Sequence, residues 1–459
     1  MAMEVLGLRL NWARRMSVSI SVIIPVYNSA RFLRSCLEHL SRSTYRDYEC
    51  IVVDDGSTDG SGDVAREFGV TVLCSERRLG PAHARNLGAK SAGGPILFFI
   101  DADVCVSANT LERVRANFES DPALAAVMGS YDDEPEEQDF LSLYKNLMHC
   151  YVHHNSRREA CTFWSGCGAI RKTIFDEASG FNESYDRPAI EDIELGYRLA
   201  TAHKKLVLDP SILVKHLKRW SFFGLVKTDV LDRGIPWTEL ILRDKRLPND
   251  LNLQLSQRVS VALVFLLIGM AAGAAWYTGR AFVLALLTML FLVLAQFEVE
   301  LTWKTHPKAS VGTLVLVGII VYLAYQSHSP WLVPPVLLAY GLLFFRHRYG
   351  FINKRKRRIT GLVCGGYLLF VMLFVLIYLP RNPLIFGFYV VLSTVILLNS
   401  QFYVFLAGRT GRLLALAAIP FHLLFHFYNG ISFIIGIARH LFRRLFYPQR
   451  SGVPVSSDQ

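Results

Sequence analysis

Acidic residues are almost absent from the second part of this 459-residue chain. After residue 258 there are three acids, Glu298, Glu300 and Asp458, against 17 lysines and arginines, a formal charge of +14. The first 258 residues carry −3, and the whole chain carries +11. The basic residues lie in short stretches between long apolar runs, an arrangement that fixes orientation in a membrane and attracts anionic headgroups. We therefore expect membrane lipids as partners and no nucleic acid.

Paired cysteine motifs are also lacking. The eight cysteines include no CxxC pair, and most stand in apolar contexts, among them Cys50, Cys74, Cys105 and Cys364. Cys161 and Cys167 lie close together, but no His or Cys set with ligand spacing surrounds them. Disulfide scaffolds and structural zinc sites are therefore not expected, and the cysteines are interpreted as small buried apolar residues.

A cleavable signal sequence is not evident at the amino terminus. Residues Met1 to Arg15 contain no long apolar core followed by a small-residue cleavage site. The first domain is therefore expected to stay on the cytoplasmic side, where it is synthesised.

Short apolar runs alternate with helix-like segments over residues 19–215. The predicted strands are 21–26, 49–55, 70–75 and 96–103, and the predicted helices between them are 29–41, 60–68 and 81–92. This rhythm predicts an α/β domain over residues 1–215, with a Rossmann-like, mostly parallel sheet covered on both faces. Ligands of such sheets bind beyond the carboxyl ends of the strands. The acid-rich stretch 121–139 is predicted to be a solvated loop.

The rest of the chain is predicted to be helical and associated with a membrane. Residues 216–258 mix aromatic and basic side chains, which is typical of amphipathic helices in the headgroup layer. Residues 259–440 are predicted to form an all-α transmembrane bundle of six or seven spans, followed by a basic cytoplasmic tail at 441–459. The apolar runs are 259–279, 281–297, 311–327, 331–345, 359–379, 383–407 and 413–437.

The basic loop Arg346–Arg358 should face the cytoplasm, which places the first domain on the same side of a multi-pass protein of the cell or inner membrane. A full crossing by the last run would put its arginines outside, against the same rule. We therefore expect the last run to be re-entrant, interfacial or a tight hairpin around Asn429 and Gly430.

Polar and aromatic side chains follow the first two predicted strands. Pro25, Tyr27 and Asn28 end the first strand, and Asp54 and Asp55 end the second. The carboxylates could accept hydrogen bonds from a base N–H or from ribose hydroxyls. An acid followed by Gly and Ser is also a common turn and helix-cap pattern, so a purely structural role is the alternative.

The acids Asp101 and Asp103 follow another apolar strand. In an extended segment the side chains of residues i and i+2 point the same way, so both carboxylates can reach one divalent cation. We predict Mn²⁺ or Mg²⁺ as the cofactor, which would stabilise a departing diphosphate.

Three further segments carry candidate side chains. Arg85 lies in a helix-like segment, and Trp164 with the glycines after it could form a platform for a sugar ring. Glu191 and Asp192 open a predicted helix, where an acid could also be an N-terminal cap that the helix dipole stabilises. We assign a catalytic role to this acid pair, chiefly to Asp192, since no later acid is so placed.

Six motifs, taken in order, resemble those of family 2 glycosyltransferases, which are inverting enzymes of GT-A fold. They are IIPVYN, VVDDGSTD, GPAHARNLG, FIDAD, WSGCGAIRK and EDIELGYRL, within about residues 19–220. The resemblance implies that Tyr27 and Asp55 hold the nucleoside and that Arg85 lies near the nucleotide. It also implies that Asp101 and Asp103 engage ribose and metal.

The same resemblance makes Asp192 the general base and His216 a further metal ligand, although His216 could instead be an interface histidine. One motif of the polymerising members is missing. Cellulose and hyaluronan synthases carry Gln-x-x-Arg-Trp after the acid pair, whereas this chain has Arg233-Gly234-Ile235-Pro236-Trp237. This difference argues against polymer synthesis. Trp237 could stack on an acceptor or anchor at the membrane interface.

Together these features predict a metal-dependent enzyme that moves one sugar from a UDP- or GDP-linked donor to a lipid-borne acceptor at the cytoplasmic face. The acceptor would be a polyprenyl phosphate or a glycolipid, and Arg219, Arg233 or Lys218 would hold its phosphate. Two alternatives stay open. One is a processive polysaccharide synthase coupled to export, and the other is a membrane protein that binds nucleotide sugar without catalysis.

Overall fold

The computed structural model of the chain describes residues 19–278 and 383–446. They form two compact units, one with the described residues up to Gln254 and from Ile431 onward, and one between Leu255 and Gly430. Several predicted features lie outside the described residues. They are the amino-terminal 1–18, the apolar runs 281–297, 311–327, 331–345 and 359–379, the loop Arg346–Arg358 and the tail after 446.

The first unit contains one eight-stranded sheet. Its strands are β1 (Ile20–Val26), β2 (Tyr48–Asp54), β3 (Thr71–Cys74), β4 (Ile96–Ile100), β5 (Val104–Val106), β6 (Leu124–Tyr131), β7 (Cys167–Arg171) and β8 (Lys205–His216), in the order β3-β2-β1-β4-β7-β6-β8-β5. The first four strands pair in parallel. β7 is antiparallel to both β4 and β6, and β8 is parallel to β6. Six strands therefore end at the same edge of the sheet.

Helices lie between these strands and after them. They are α1 (Ala30–Ser41), α2 (Ser61–Glu67), α3 (Pro81–Ser91), α4 (Thr110–Ser120), α5 (Phe140–His154), α6 (Lys172–Glu177), α7 (Glu191–Thr201), α8 (Phe222–Lys227) and α9 (Ile235–Asp244). A π-helix, Thr228–Gly234, joins α8 to α9, and a 3₁₀ turn, Leu251–Leu253, follows.

Both faces of the sheet are buried, which is why its strands are continuous apolar runs. Because side chains alternate along a strand, Val22 and Phe98 pack in one core cluster while Ile23 and Phe99 pack in the other. The second cluster includes the packed rings of Phe99 and Phe181, whose centroids are 5.1 Å apart. The loops at the carboxyl edge therefore follow strands that are packed on both faces.

The second unit is helical. Its helices are α10 (Leu255–Thr278), α11 (Pro383–Leu398), α12 (Ser400–Thr410) and α13 (Arg412–Phe446), the last of which continues into the first unit. Two of them, α10 and α13, are long and apolar enough to cross a membrane. α11 and α12 meet at a 61° bend, so the predicted run 383–407 is not one straight helix. At the bend Asn399 donates from Nδ2 to Ser260 Oγ at 2.9 Å.

The predicted hairpin around Asn429 and Gly430 was wrong, since α13 is continuous through both residues. Asn429 donates from Nδ2 to the carbonyl of Phe425 one turn earlier, at 2.8 Å. Gly430 faces the ring of Phe265, where a side chain would collide. Both residues therefore suit a packed helix instead of a turn.

The predicted loop at 121–139 was also wrong in part. β6 occupies Leu124–Tyr131, and only the acid-rich residues after Tyr131 form a loop. The strand sequence LAAVMGSY is apolar and buried on both faces of the sheet, while the acids that suggested a loop lie beyond it.

Candidate active site

The carboxyl edge of the sheet brings most of the predicted site residues together. Tyr27 follows β1, Asp55 follows β2, Asp101 follows β4, and His216 ends β8. Val26 pairs with Asp54 in the parallel register, so the first two motifs lie side by side. Parallel pairing alone therefore assembles residues that are far apart in sequence.

The loops after β1 and β2 are tied to each other by hydrogen bonds. Asn28, in left-handed backbone conformation (φ 49°), accepts at Oδ1 from the Thr58 N–H at 2.8 Å. Its own N–H donates to Ser57 Oγ at 2.9 Å. Asn tolerates this conformation better than most residues. Asp54 accepts from the Ser57 N–H at 2.9 Å. Asn28 and Asp54 therefore fix the conformation of these two loops.

Asp55 fixes a third loop at the same place. It is buried, and its two oxygens accept from the backbone N–H groups of Leu79 and Gly80, each at 2.8 Å. This loop carries Arg78, whose guanidinium carbon lies 4.3 Å from the centre of the exposed Tyr27 ring. Pro25 lies in β1 opposite Val53. The exposed ring of Tyr27 and the guanidinium of Arg78 therefore lie side by side at the ends of β1 and β2.

Arg85 of α3 connects two predicted motifs. It is 4% exposed and donates from Nη1 to Glu191 Oε1 at 2.8 Å and from Nη2 to Asp101 Oδ1 at 2.7 Å. Burial would lower the pKa of Arg85, but the carboxylates of Asp101, Glu191 and Asp192 outweigh it and raise the pKa. Glu191 also accepts at Oε2 from the Ala189 N–H at 2.9 Å. Both oxygens of Glu191 therefore have protein donors.

Asp192 has a different environment from its neighbour Glu191. Its Oδ2 accepts from the N–H and the Oγ of Ser165 at 3.0 and 3.1 Å, and its Oδ1 accepts from the Ile193 N–H at 2.8 Å. Burial and then the charge of Glu191 raise the pKa of Asp192 to about 6, against the lowering effects of the Ser165 N–H, Arg85 and Arg233. A carboxylate with this pKa can hold or release a proton near neutral pH.

The predicted metal ligands are brought together only in part. Asp103 Oδ2 lies 3.5 Å from His216 Nε2, whereas Asp101 is turned to Arg85. Among the described residues, no group of three or more His, Cys, Asp or Glu side chains could hold a metal ion. Burial would raise the pKa of Asp103, but His216 and Lys218 outweigh it and lower the pKa.

The other nitrogen of His216 is fixed by a residue that no motif indicated. Nδ1 lies 2.8 Å from Oδ1 of the buried Asn146, on α5. An amide oxygen only accepts, so the proton lies on Nδ1 and Nε2 is directed at Asp103.

Trp164 belongs to a group of packed aromatic rings that includes His216. Its ring centre is 4.9 Å from Tyr131, at the end of β6, and 4.7 Å from His149 of α5. Tyr131 in turn stacks on His216 at 4.7 Å, with 12° between the ring planes. The predicted sugar platform is therefore one face of a larger aromatic wall.

The three residues predicted for the acceptor lie after β8. Arg219 is half exposed and 3.6 Å from Asp139, and Arg233 is exposed on the π-helix. Trp237 is half-buried and donates from Nε1 to Tyr197 OH at 3.1 Å. The structure thus places Trp237 within a small cluster of the first unit, and its predicted role at the lipid interface stays a prediction.

Comparison with known proteins finds similarity over the first unit. Residues 21–178 match the family model described as Glycosyl transferase family 2. Glycosyltransferase GlyG of Streptococcus pneumoniae is 35% identical over 130 residues, 27% of this chain and 43% of that protein. Glycosyltransferase AglE of Haloferax volcanii is 40% identical over 101 residues, 20% of this chain and 33% of that protein. The chain thus spans less than half the length of these curated relatives.

Among solved structures, the mannosyltransferase PcManGT from Pyrobaculum calidifontis, in complex with GDP-Man and Mn²⁺, is similar with a TM-score of 0.44 and 18% identity. The similarity covers 75% of this chain and 94% of that one.

Proposed function

We propose that this protein transfers one sugar from a nucleotide-diphosphate sugar to a lipid-borne acceptor at the cytoplasmic face of a membrane, with inversion at the anomeric carbon. The observation that carries the proposal is the buried Arg85, which joins Asp101 at the end of β4 to the acid pair of α7. This bridge brings a candidate base to the edge where the donor motifs lie. The match to the family 2 model and the curated relatives, both called glycosyltransferases, support the same activity.

The donor is proposed to lie across the ends of β1, β2 and β4. Its base would stack on Tyr27, within reach of the loop that Asp55 holds, and its ribose would approach Asp101. Arg85 donates from both Nη1 and Nη2 to carboxylates, so we assign it the role of fixing them and not of binding phosphate directly. Trp164, at the aromatic wall, would contact the sugar ring.

A divalent cation is proposed beside Asp103 and His216. Nε2 of His216 lies 3.5 Å from Oδ2 of Asp103, close enough for one cation to contact both atoms. One carboxylate and one imidazole, completed by phosphate oxygens, fit Mn²⁺ or Mg²⁺. The cation would neutralise charge on the departing diphosphate. Asp103 and His216 would hold it, and Asn146 would orient the imidazole through its contact with Nδ1.

Asp192 is proposed to take the proton of an acceptor hydroxyl as it attacks the anomeric carbon from the face opposite the leaving group. Its pKa near 6 leaves it ionised at neutral pH, yet basic enough to accept a proton. Ser165 holds Oδ2 in place and Ile193 holds Oδ1. A polyprenyl phosphate acceptor is already ionised and would need little of this assistance.

The lipid acceptor is proposed from the second part of the chain. α10 and α13 have the length and apolar character of membrane spans. Exposed basic residues after β8, Arg219 and Arg233 among them, would bind a lipid phosphate, and Trp237 would contribute to the acceptor side.

The deciding experiment is an assay of the purified full-length protein with a panel of UDP- and GDP-sugars, Mn²⁺ or Mg²⁺, and a membrane lipid extract. We expect metal-dependent release of one nucleotide and one sugar in the lipid fraction. A long water-soluble product would favour a polysaccharide synthase instead. No nucleotide release under any condition would overturn the catalytic proposal.

The rate of transfer should depend on the ionisation of Asp192. Because the unprotonated carboxylate is the active form, kcat/KM should be constant above its pKa and fall about tenfold per pH unit below about pH 6. Burial also raises the pKa of Asp132 to about 6, so Asp132→Asn is the control. The acid limb should persist in that variant, and its disappearance there would contradict the assignment to Asp192.

Replacement of Asn146 with Ala should weaken the cation site without touching its ligands. Loss of a residue that orients a metal-bound histidine typically costs 10–100-fold in affinity, so we expect the Mn²⁺ concentration for half-maximal activity to rise about tenfold. Asn155→Ala, at the exposed end of the same helix, is the matched control. Equal Mn²⁺ dependence of the two variants would show that Asn146 does not serve the cation.

A further inference from the structure

The π-helix Thr228–Gly234 carries an exposed cation, Arg233. Arg233 is exposed and makes no hydrogen bond or ion pair with the described part of the chain. Asp229 of the same π-helix pairs with Lys145 of α5, and the next residue of α5, Asn146, contacts His216, so the π-helix lies beside the candidate site. π-helical turns are rare and occur frequently at functional sites.

On one side this π-helix is fixed by a buried ion pair. Lys145 of α5 donates from Nζ to both oxygens of Asp229, at 2.6 and 2.9 Å. The two residues are 8% and 6% exposed. The loss of either partner from such a pair strands a buried charge, so the π-helix is held to α5 strongly.

On the other side the end of α13 packs against the same segment through small residues. Gly234, the last residue of the π-helix, faces Ser432, and a side chain there would collide with it. A Cβ atom on Gly436 would lie 2.5 Å from Thr238 Cβ and 2.8 Å from its Cγ2. α13 therefore packs closely against the π-helix at Gly234 and against α9 at Gly436.

Charges complete this contact one turn further along. Glu239 of α9 lies 2.9 Å from Arg439 and 3.0 Å from Arg443, both on α13. Glu239 is largely buried while the arginines are half exposed, so each pair contributes modestly. Together with the glycine contacts they set the position of α9, which continues directly from the π-helix.

We propose that Gly436 and Glu239 are positioning residues, which dock the end of α13 on α9 and thereby hold the Arg233 guanidinium where it binds the phosphate group of the lipid-borne acceptor. The inference rests on the proposed function and deepens it. Two types of lipid acceptor carry phosphate. In a polyprenyl monophosphate the phosphate itself is the group that reacts. In a polyprenyl-diphosphate-linked sugar a sugar hydroxyl reacts, and the diphosphate lies next to that sugar.

The test is a double-mutant cycle with the full-length protein, using each of these two lipids in detergent micelles as acceptor. Arg233→Ala should raise the acceptor KM about tenfold or more, the usual effect of losing a charged hydrogen bond, and leave the donor KM unchanged. Gly436→Leu should raise the acceptor KM about tenfold, and Glu239→Gln about threefold. In the Arg233→Ala background, Gly436→Leu and Glu239→Gln should each raise the acceptor KM by less than about twofold, because both act through Arg233.

Gly408→Leu is the matched control, since a side chain on this helical glycine would meet no described atom within 4 Å. It should leave the acceptor KM unchanged. The positioning role would be overturned if Gly436→Leu or Glu239→Gln raised the acceptor KM as much in the Arg233→Ala background as in the wild type. It would also be overturned if either variant raised the donor KM as much as the acceptor KM. If Gly436→Leu does not fold, Glu239→Gln alone provides the test. Transfer by the wild type only to a lipid without phosphate would overturn the anion site. If the wild type releases no nucleotide, the proposed function fails and this inference fails with it.

Discussion

Replacement of Asp192 with Asn should lower kcat/KM for sugar transfer by about 10²–10⁴-fold, the usual contribution of a general base. The amide has the size of the carboxylate, and its oxygen can still accept from Ser165 or Ile193, which hold Asp192 in place. It cannot take a proton from an acceptor hydroxyl. Donor KM should change little, because Asp192 is not among the residues proposed to bind the nucleotide.

The control for this variant is Asp176→Asn, which removes an exposed carboxylate that lies 3.6 Å from Lys172 on α6. It should have wild-type kinetics. Near-normal turnover by Asp192→Asn would contradict the role as base. It would indicate that the acceptor is already ionised, as a polyprenyl phosphate is, and that Asp192 only orients its surroundings.

Local sequence predicted the first half of the sheet well. The strands predicted at 21–26 and 49–55 are observed at Ile20–Val26 and Tyr48–Asp54, and the helix predicted at 81–92 is Pro81–Ser91. The two strands contain apolar runs that end before Gly or polar residues, and the helix begins with Pro after a Gly, so their positions can be recognised from nearby sequence alone. Because the first two strands each end in one of the motifs, the location of the candidate site at the carboxyl edge could also be predicted from the sequence.

The part of the site that depends on distant contacts could not be predicted this way. Arg85 and Glu191 meet across 106 positions of sequence, through strands whose order is set by the antiparallel β7. Asn146 stands in none of the six motifs, and Ser165 was assigned no role within WSGCGAIRK, yet these two neutral residues orient His216 and Asp192. Such partners are identified only from the folded structure, because they orient a neighbouring side chain and add no charge to the site.

Replacement of Arg85 with Met should destabilise the domain by about 3–5 kcal/mol, the usual cost of removing one partner from a buried ion pair. Glu191 is 4% exposed and would keep its charge without the guanidinium that compensates it. For a domain of this size we expect the melting temperature to fall by about 10 °C. Arg34→Met, which breaks an exposed pair with Glu67, should change it by little.

The second change Glu191→Gln distinguishes stability from function in this variant. The neutral amide can still accept from the Ala189 N–H, which Glu191 Oε2 now does at 2.9 Å, and no buried charge is left unpaired. Arg85→Met with Glu191→Gln should therefore regain about half of the lost stability. Transfer should stay low, because Asp101 no longer has the donor that fixes it at 2.7 Å. If the double variant recovers activity along with stability, Arg85 serves only the fold, and the bridge between Asp101 and the acid pair has no part in the reaction.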